Sequence, residues 1–126
     1  MGHTTFSPAL DADRWPWPDL DVYVLGSNVA TTGAPVPIVT DNDPTALLER
    51  IRQAGYSGNV HLVGGARTIE TFRSIGALDK LGLLVLPVII GSGGRLSPPL
   101  SIEAKLGLVD QRALAEGAVE IIYTCT

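Results

Sequence analysis

The order of strand and helix signals along these 126 residues predicts a three-layer α/β domain, with a mixed, mainly parallel sheet that ends in antiparallel strands. Three observations carry this. An amphipathic segment opens on Asp43-Pro44 and closes on Gly55, which is how a helix between strands starts and stops. Val60 to Val63 is a short β-branched run that ends in Gly64-Gly65 and passes into a second helical stretch near 67–75. Near the end, Val119, Ile121 and Tyr123 alternate with period two, as in a strand with one buried face.

In order along the chain, Ser7 to Asp13 reads as a short helix, with Ser7 as N-cap and Pro8 at the first helical position. Trp15-Pro16-Trp17-Pro18 ends any helix and places two aromatic rings over the end of the sheet. A strand is expected near 21–26, stopping at the turn residues Gly26-Ser27-Asn28, and a second near 36–39, where Pro37 marks an edge or bulge. The helix near 44–54 turns Leu47, Leu48, Ile51 and Ala54 to one side. A strand near 59–63 and a helix near 67–75, with Ile69 and Phe72 inward and Gly76 as stop, follow. Leu81 to Ile90 is apolar on both faces and reads as a central strand. Two more strands are expected, near Ile102 to Val109 and Val119 to Thr124. The resulting order is β-β-α-β-α-β-β-β, in one domain spanning 1–126.

Composition excludes several functions. Apolar residues make up 45% of the chain, which suits a packed core rather than disorder. Thirteen acidic residues outnumber nine scattered basic ones, so a nucleic-acid or membrane surface is not expected. One cysteine, Cys125, cannot form an internal disulfide, and two distant histidines give no metal spacing. With no signal peptide and no apolar run of membrane-spanning length, a cytoplasmic protein acting on a small molecule is the expectation.

Val63-Gly64-Gly65-Ala66-Arg67-Thr68 holds the strongest chemical signal. A strand that ends in glycine and feeds a helix presents free N–H groups and the positive end of a helix dipole, which suits a phosphate. Arg67 and Thr68 add a charge and a hydroxyl. On spacing alone, a plain tight turn fits the same residues. Gly91-Ser92-Gly93-Gly94-Arg95 matches neither the G-x-G-x-x-G fingerprint nor a P-loop, and reads equally as a hairpin or a ligand contact. His61 is expected as a packed strand residue, His3 as a solvated side chain or an anion contact, and Asp110-Gln111-Arg112 as a turn or strand edge. No Ser-His-Asp set and no carboxylate pair stands out.

Several segments, taken in order, resemble one family. Met1-Gly2-His3-Thr4-Thr5-Phe6 resembles the Met-Gly-Arg-x-Thr-aromatic segment of dihydrofolate reductases and of the reductase domain of bacterial riboflavin biosynthesis. Trp15-Pro16 followed by Val22 to Ser27 is similar to the next strand of that fold, and Leu62 to Arg67 to its glycine-pair signature. Gly76 to Leu81, Pro87 to Gly93 and Gly117 to Tyr123 are similar to its Gly-Leu-x-Asp-Glu-Leu segment, its Pro-x-x-x-Gly-x-Gly strand end and its closing strand.

The resemblance implies a dihydrofolate-reductase-like fold, NADPH as cofactor, hydride transfer to a C=N or carbonyl carbon, and a homodimer. It implies that Gly2, His3 and Thr5 meet the cofactor phosphates together with Gly64, Gly65, Ala66, Arg67 and Thr68, and that Ser27 lies near the adenosine 2'-phosphate. No catalytic residue follows from it. Three departures stand out. His3 replaces an arginine, so a fixed charge becomes titratable. Val63 stands where riboflavin-pathway reductases carry an acid. The family's first strand precedes the Met-Gly motif with which this sequence opens, so the chain reads as an N-terminally truncated reductase. A non-catalytic dinucleotide-binding or dimeric remnant is the alternative.

Overall fold

The computed structural model describes residues 1–125, which fall into two compact units, Met1–Thr71 and the remainder from Phe72 onward. The elements are α1 (His3–Phe6), β1 (Val22–Leu25), β2 (Ile38–Asp41), α2 (Pro44–Gln53), α3 (Ala66–Ser74), β3 (Lys80–Val85), β4 (Gly107–Ala113) and β5 (Val119–Thr124). A 3-10 helix over Ser7–Asp11 continues α1, where the sequence suggested a short helix.

In the first unit, β1 and β2 pair in parallel, with Val22 beside Ile38 and Leu25 beside Asp41. Residues 1 and 2 run along the other side of β1. The Met1 amine donates to the Tyr23 carbonyl (3.0 Å), the Leu25 N–H donates to the Met1 carbonyl (2.9 Å), and Gly2 bridges to Leu25 in parallel. Phe6, Val22 and Val24 are buried, with Trp15, Trp17, Leu10 and Ile38 packed on them. The two tryptophans make edge-to-face contacts: Phe6 to Trp15 at 6.4 Å and Trp15 to Trp17 at 5.3 Å. The two indoles of the Trp-Pro repeat therefore pack, half-buried, against the core, while Pro16 and Pro18 stay exposed.

α2 begins and ends as its sequence dictates. Asp43 Oδ1 accepts from the N–H groups of Thr45 (2.8 Å) and Ala46 (3.4 Å), and Pro44 takes the first turn. Gly55 has φ +72° and its N–H returns to the Arg52 carbonyl, a bond that a residue with a β-carbon would make only under strain. Leu47 anchors the helix and is fully buried.

The expected strand at 59–63 does not form. Val60, His61 and Val63 are exposed, and among the described residues this segment has no ladder partner. Composition gave the right preference, but a strand exists only through a neighbour, and β propensity does not supply one. His61 is accordingly solvated rather than packed in a strand.

The second unit holds an antiparallel sheet in the order β3-β5-β4. Leu81 faces Tyr123, Leu83 faces Ile121 and Val85 faces Val119, so one face of β3 and β5 is apolar. On the opposite face the in-register pair Arg112 and Glu120 joins β4 to β5 at 2.5 Å. Within the run Leu81 to Ile90 only the first half is strand, and β3 lies at a sheet edge rather than at the centre. Pro87 has no N–H for a ladder, and the Val88 N–H closes a turn onto the Leu86 carbonyl, so pairing stops there. The next strand begins at Gly107, not near Ile102, and takes in Asp110 to Arg112 as an edge, with a bulge between Leu108 and Asp110.

Among the described residues no helix is long and apolar enough to cross a membrane, and no group of three metal-ligating side chains occurs.

Candidate functional site

Two short segments far apart in sequence meet at the start of α3. The Gly2 N–H donates to the Gly64 carbonyl (2.8 Å), while the Gly2 carbonyl accepts from Phe6 N–H (3.1 Å) and so opens α1. A β-carbon at Gly2 would overlap Thr68 Oγ1 as that side chain now stands, so glycine lets the first residues approach the helix without displacing it. Gly64 has φ +136°, a conformation that side-chain-bearing residues rarely adopt, and the Gly64–Gly65 peptide is cis.

This junction forms a cleft of about 280 Å³ lined by Gly2, Thr4, Thr5, Gly65, Ala66, Arg67 and Thr68. The first backbone bond into α3 runs from Ile69 N–H to Gly65 carbonyl (2.9 Å). The amides of Ala66, Arg67 and Thr68 precede that ladder and are the unpaired donors every helix start presents. The helix dipole, the Thr4, Thr5 and Thr68 hydroxyls and the Arg67 guanidinium add to them. Among the described residues, no carboxylate lines the cleft. Such a set suits an anion.

Six of the nine residues expected at a cofactor line this cleft: Gly2, Thr5, Gly65, Ala66, Arg67 and Thr68. Gly64 lies buried beneath it, tied to Gly2. His3 is exposed, and its β-carbon lies against Gly26, where an added Cβ would stand 3.0 Å away. Ser27 is exposed in the turn that ends β1 and does not line the cleft. Thr4 was not foreseen; its place in the first turn of α1, between His3 and Thr5, was the available signal. A larger, open hollow of about 430 Å³ is lined by the consecutive residues Arg95 to Leu100. It is one loop curled on itself and brings no distant groups together.

Elsewhere in the first unit, Tyr56 OH donates to the Asp21 carboxylate and sits 2.9 Å from Tyr23 OH. These bonds hold the Tyr56 phenol well above the usual tyrosine range, the Asp21 bond most of all. The cluster ties the end of α2 to the start of β1.

Comparison with known proteins identifies the family of the chain. The family model of the RibD C-terminal domain matches residues 18–119. YwjB of Bacillus subtilis (strain 168), an uncharacterized protein, is 30% identical over 110 residues, covering 86% of this chain and 62% of that protein. YyaP of the same organism, also uncharacterized, is 34% identical over 65 residues, covering 52% of this chain and 35% of that protein. The matches thus span less than two thirds of either relative. A crystal structure of a Shewanella sp. PV-4 protein, provisionally assigned to riboflavin biosynthesis, superposes on the whole chain and on 72% of its own length. The TM-score is 0.78 at 19% identity. The fold is thus the mixed, dihydrofolate-reductase-like α/β fold expected from the sequence.

Proposed function

We propose that this chain, which belongs to the reductase-like RibD C-terminal domain family, binds NADPH by its diphosphate in the cleft at the start of α3 and serves a reductase. One observation carries the reading: the free amides of Ala66 to Thr68, three threonine hydroxyls and Arg67 converge on a cleft that holds no carboxylate. A diphosphate has the charge and the acceptor oxygens that this donor set matches. Gly65 fits the same role, since a β-carbon there would meet nothing nearer than Thr5 Oγ1 at 3.7 Å. The protein does not need that space, and a phosphate oxygen does.

When bound, the nicotinamide supplies a hydride to a C=N or carbonyl carbon. The chain's own part is to hold and orient. The amides of α3 fix one phosphate without moving, because the helix is already formed. Thr5 and Thr68 set the depth of binding from opposite segments, and Arg67 offsets negative charge at the mouth. The hydrogen bond between Gly2 and Gly64 keeps the two walls in register.

The cleft lining itself contains no general acid or base, and this favours a second reading: a domain that binds the dinucleotide without catalysis. Calorimetric titration with NADPH, followed by NADPH oxidation with dihydrofolate or the riboflavin-pathway ribosylaminopyrimidine phosphate, decides between the two. Saturable binding that inorganic pyrophosphate competes away is expected. Binding with turnover supports the reductase, binding without turnover the second reading, and no binding overturns both.

A further inference from the structure

We infer that β4 pairs edge to edge with β4 of a second copy of this chain, about a two-fold axis at Gln111; the inference stands apart from the cofactor reading. β4 is an outer strand of its sheet, and all of Gly107–Ala113 is exposed. An outer strand carries a row of backbone donors and acceptors that a compatible strand can extend. Lysine, proline or a covering segment commonly blocks such an edge, and residues 109–113 have none of these. The bulge between Leu108 and Asp110 bounds the free stretch at one end.

The Leu114 N–H donates to the Ala118 carbonyl (2.8 Å). Alternation along the ladder then turns the amides of Arg112 and Asp110 toward β5 and those of Gln111 and Ala113 outward. A side chain already answers one of the outward amides: Asp110 Oδ1 accepts from Gln111 N–H (2.8 Å), standing in for a strand carbonyl. Two-fold symmetry makes this edge self-complementary. With Gln111 opposite itself, the two copies exchange N–H···O=C bonds there, and each Asp110 is released to face Arg112 of the other copy. Those two pairs fall at the non-hydrogen-bonded positions, where side chains stand closest. Arg112 has room for a second acid, since Glu120 binds its Nε (2.5 Å) and the outer guanidinium nitrogens remain. The adjacent registers of the same parity set Asp110 opposite Asp110, or Arg112 opposite Arg112, so charge selects this one. The other outer strand, β3, has Lys80 as its single charged residue and offers no such pairing.

The test is sedimentation velocity of the whole chain over a range of concentrations. A dimer is expected, and it should weaken as salt rises. Asp110→Arg and Arg112→Asp each turn two attractive cross-strand pairs into two repulsive ones, so either variant alone should dimerise at least about tenfold more weakly. Mixing the two variants restores both pairs, and a mixed dimer should form more tightly than either variant pairs with itself. Gln111→Pro removes the central outward N–H without removing a bond to β5, and should also weaken the dimer. It decides the matter if a charge variant fails to fold. A parent that stays monomeric through the micromolar range overturns the inference and leaves the edge to a strand of another protein. A dimer indifferent to all three substitutions overturns it too, as do folded charge variants whose mixture gains nothing.

Discussion

Replacing Gly65 with alanine separates what the ligand needs from what the fold needs. The backbone at Gly65 lies outside the left-handed region, and the new methyl would meet only Thr5 Oγ1, at an ordinary 3.7 Å. Fewer unfolded conformations give the variant up to about 0.4–1 kcal/mol of stability, so its melting temperature should stay within about 4 °C of the parent. The ligand meets a different situation. On the proposed reading the methyl takes up space in the cleft that Gly65 lines with Ala66 to Thr68, and hinders a phosphate oxygen from reaching their amides. Losing one charge-assisted hydrogen bond costs about 1.5–3 kcal/mol, so NADPH should bind at least tenfold more weakly. Gly64→Ala is the converse control. Its φ of +136° is strained for alanine, by about 1–3 kcal/mol, and the melting temperature should fall. Scanning calorimetry and isothermal titration of both variants provide the measurements. A folded Gly65→Ala protein that binds NADPH like the parent would refute the proposed phosphate position.

Two further predictions concern the frame around the site. Asp43→Ala removes the cap that accepts from Thr45 and Ala46, and should cost about 1 kcal/mol in denaturant unfolding, with Asp43→Asn recovering most of it. The raised ionisation of Tyr56 stabilises the fold fully below about pH 10, and that contribution is lost as pH rises through the folded value. Unfolding midpoints of Tyr56→Phe should therefore vary less with alkaline pH than the parent's, and identical curves would remove the cluster from the argument.

The helices were legible because their limits are written in local chemistry. Asp43, Pro44 and Gly55 act within a turn of themselves, and each does what its side chain, or lack of one, allows. The end of α3 is equally local: Gly76 at φ +70° and the bonds from Gly76 to Arg73 and from Ala77 to Phe72 form a glycine-closed cap. Strands were less legible, since a strand's existence depends on a partner elsewhere. Val60 to Val63 and Val88 to Ile90 have the composition of strands and no ladder among the described residues. Leu81 to Val85 and Val119 to Thr124 have similar composition and do pair, because a compatible neighbour with matching alternation lies opposite.

The site divides along the same line. Gly64 to Thr68 could be read as an anion site or as a plain tight turn from the residues alone, because two glycines and a helix start are consecutive. Gly2 could not, and entered only through the family resemblance. Its reason is a contact across sixty-six positions, the collision that any β-carbon would make with Thr68 Oγ1. Once that contact is known, the glycines have separable roles. Gly2 clears space for Thr68, Gly64 supplies a backbone angle, and Gly65 clears space that no protein atom fills. On the proposed cofactor reading only the last of these leaves room for a ligand, and this is why Gly65, rather than either of its partners, is the residue whose substitution tests function instead of folding.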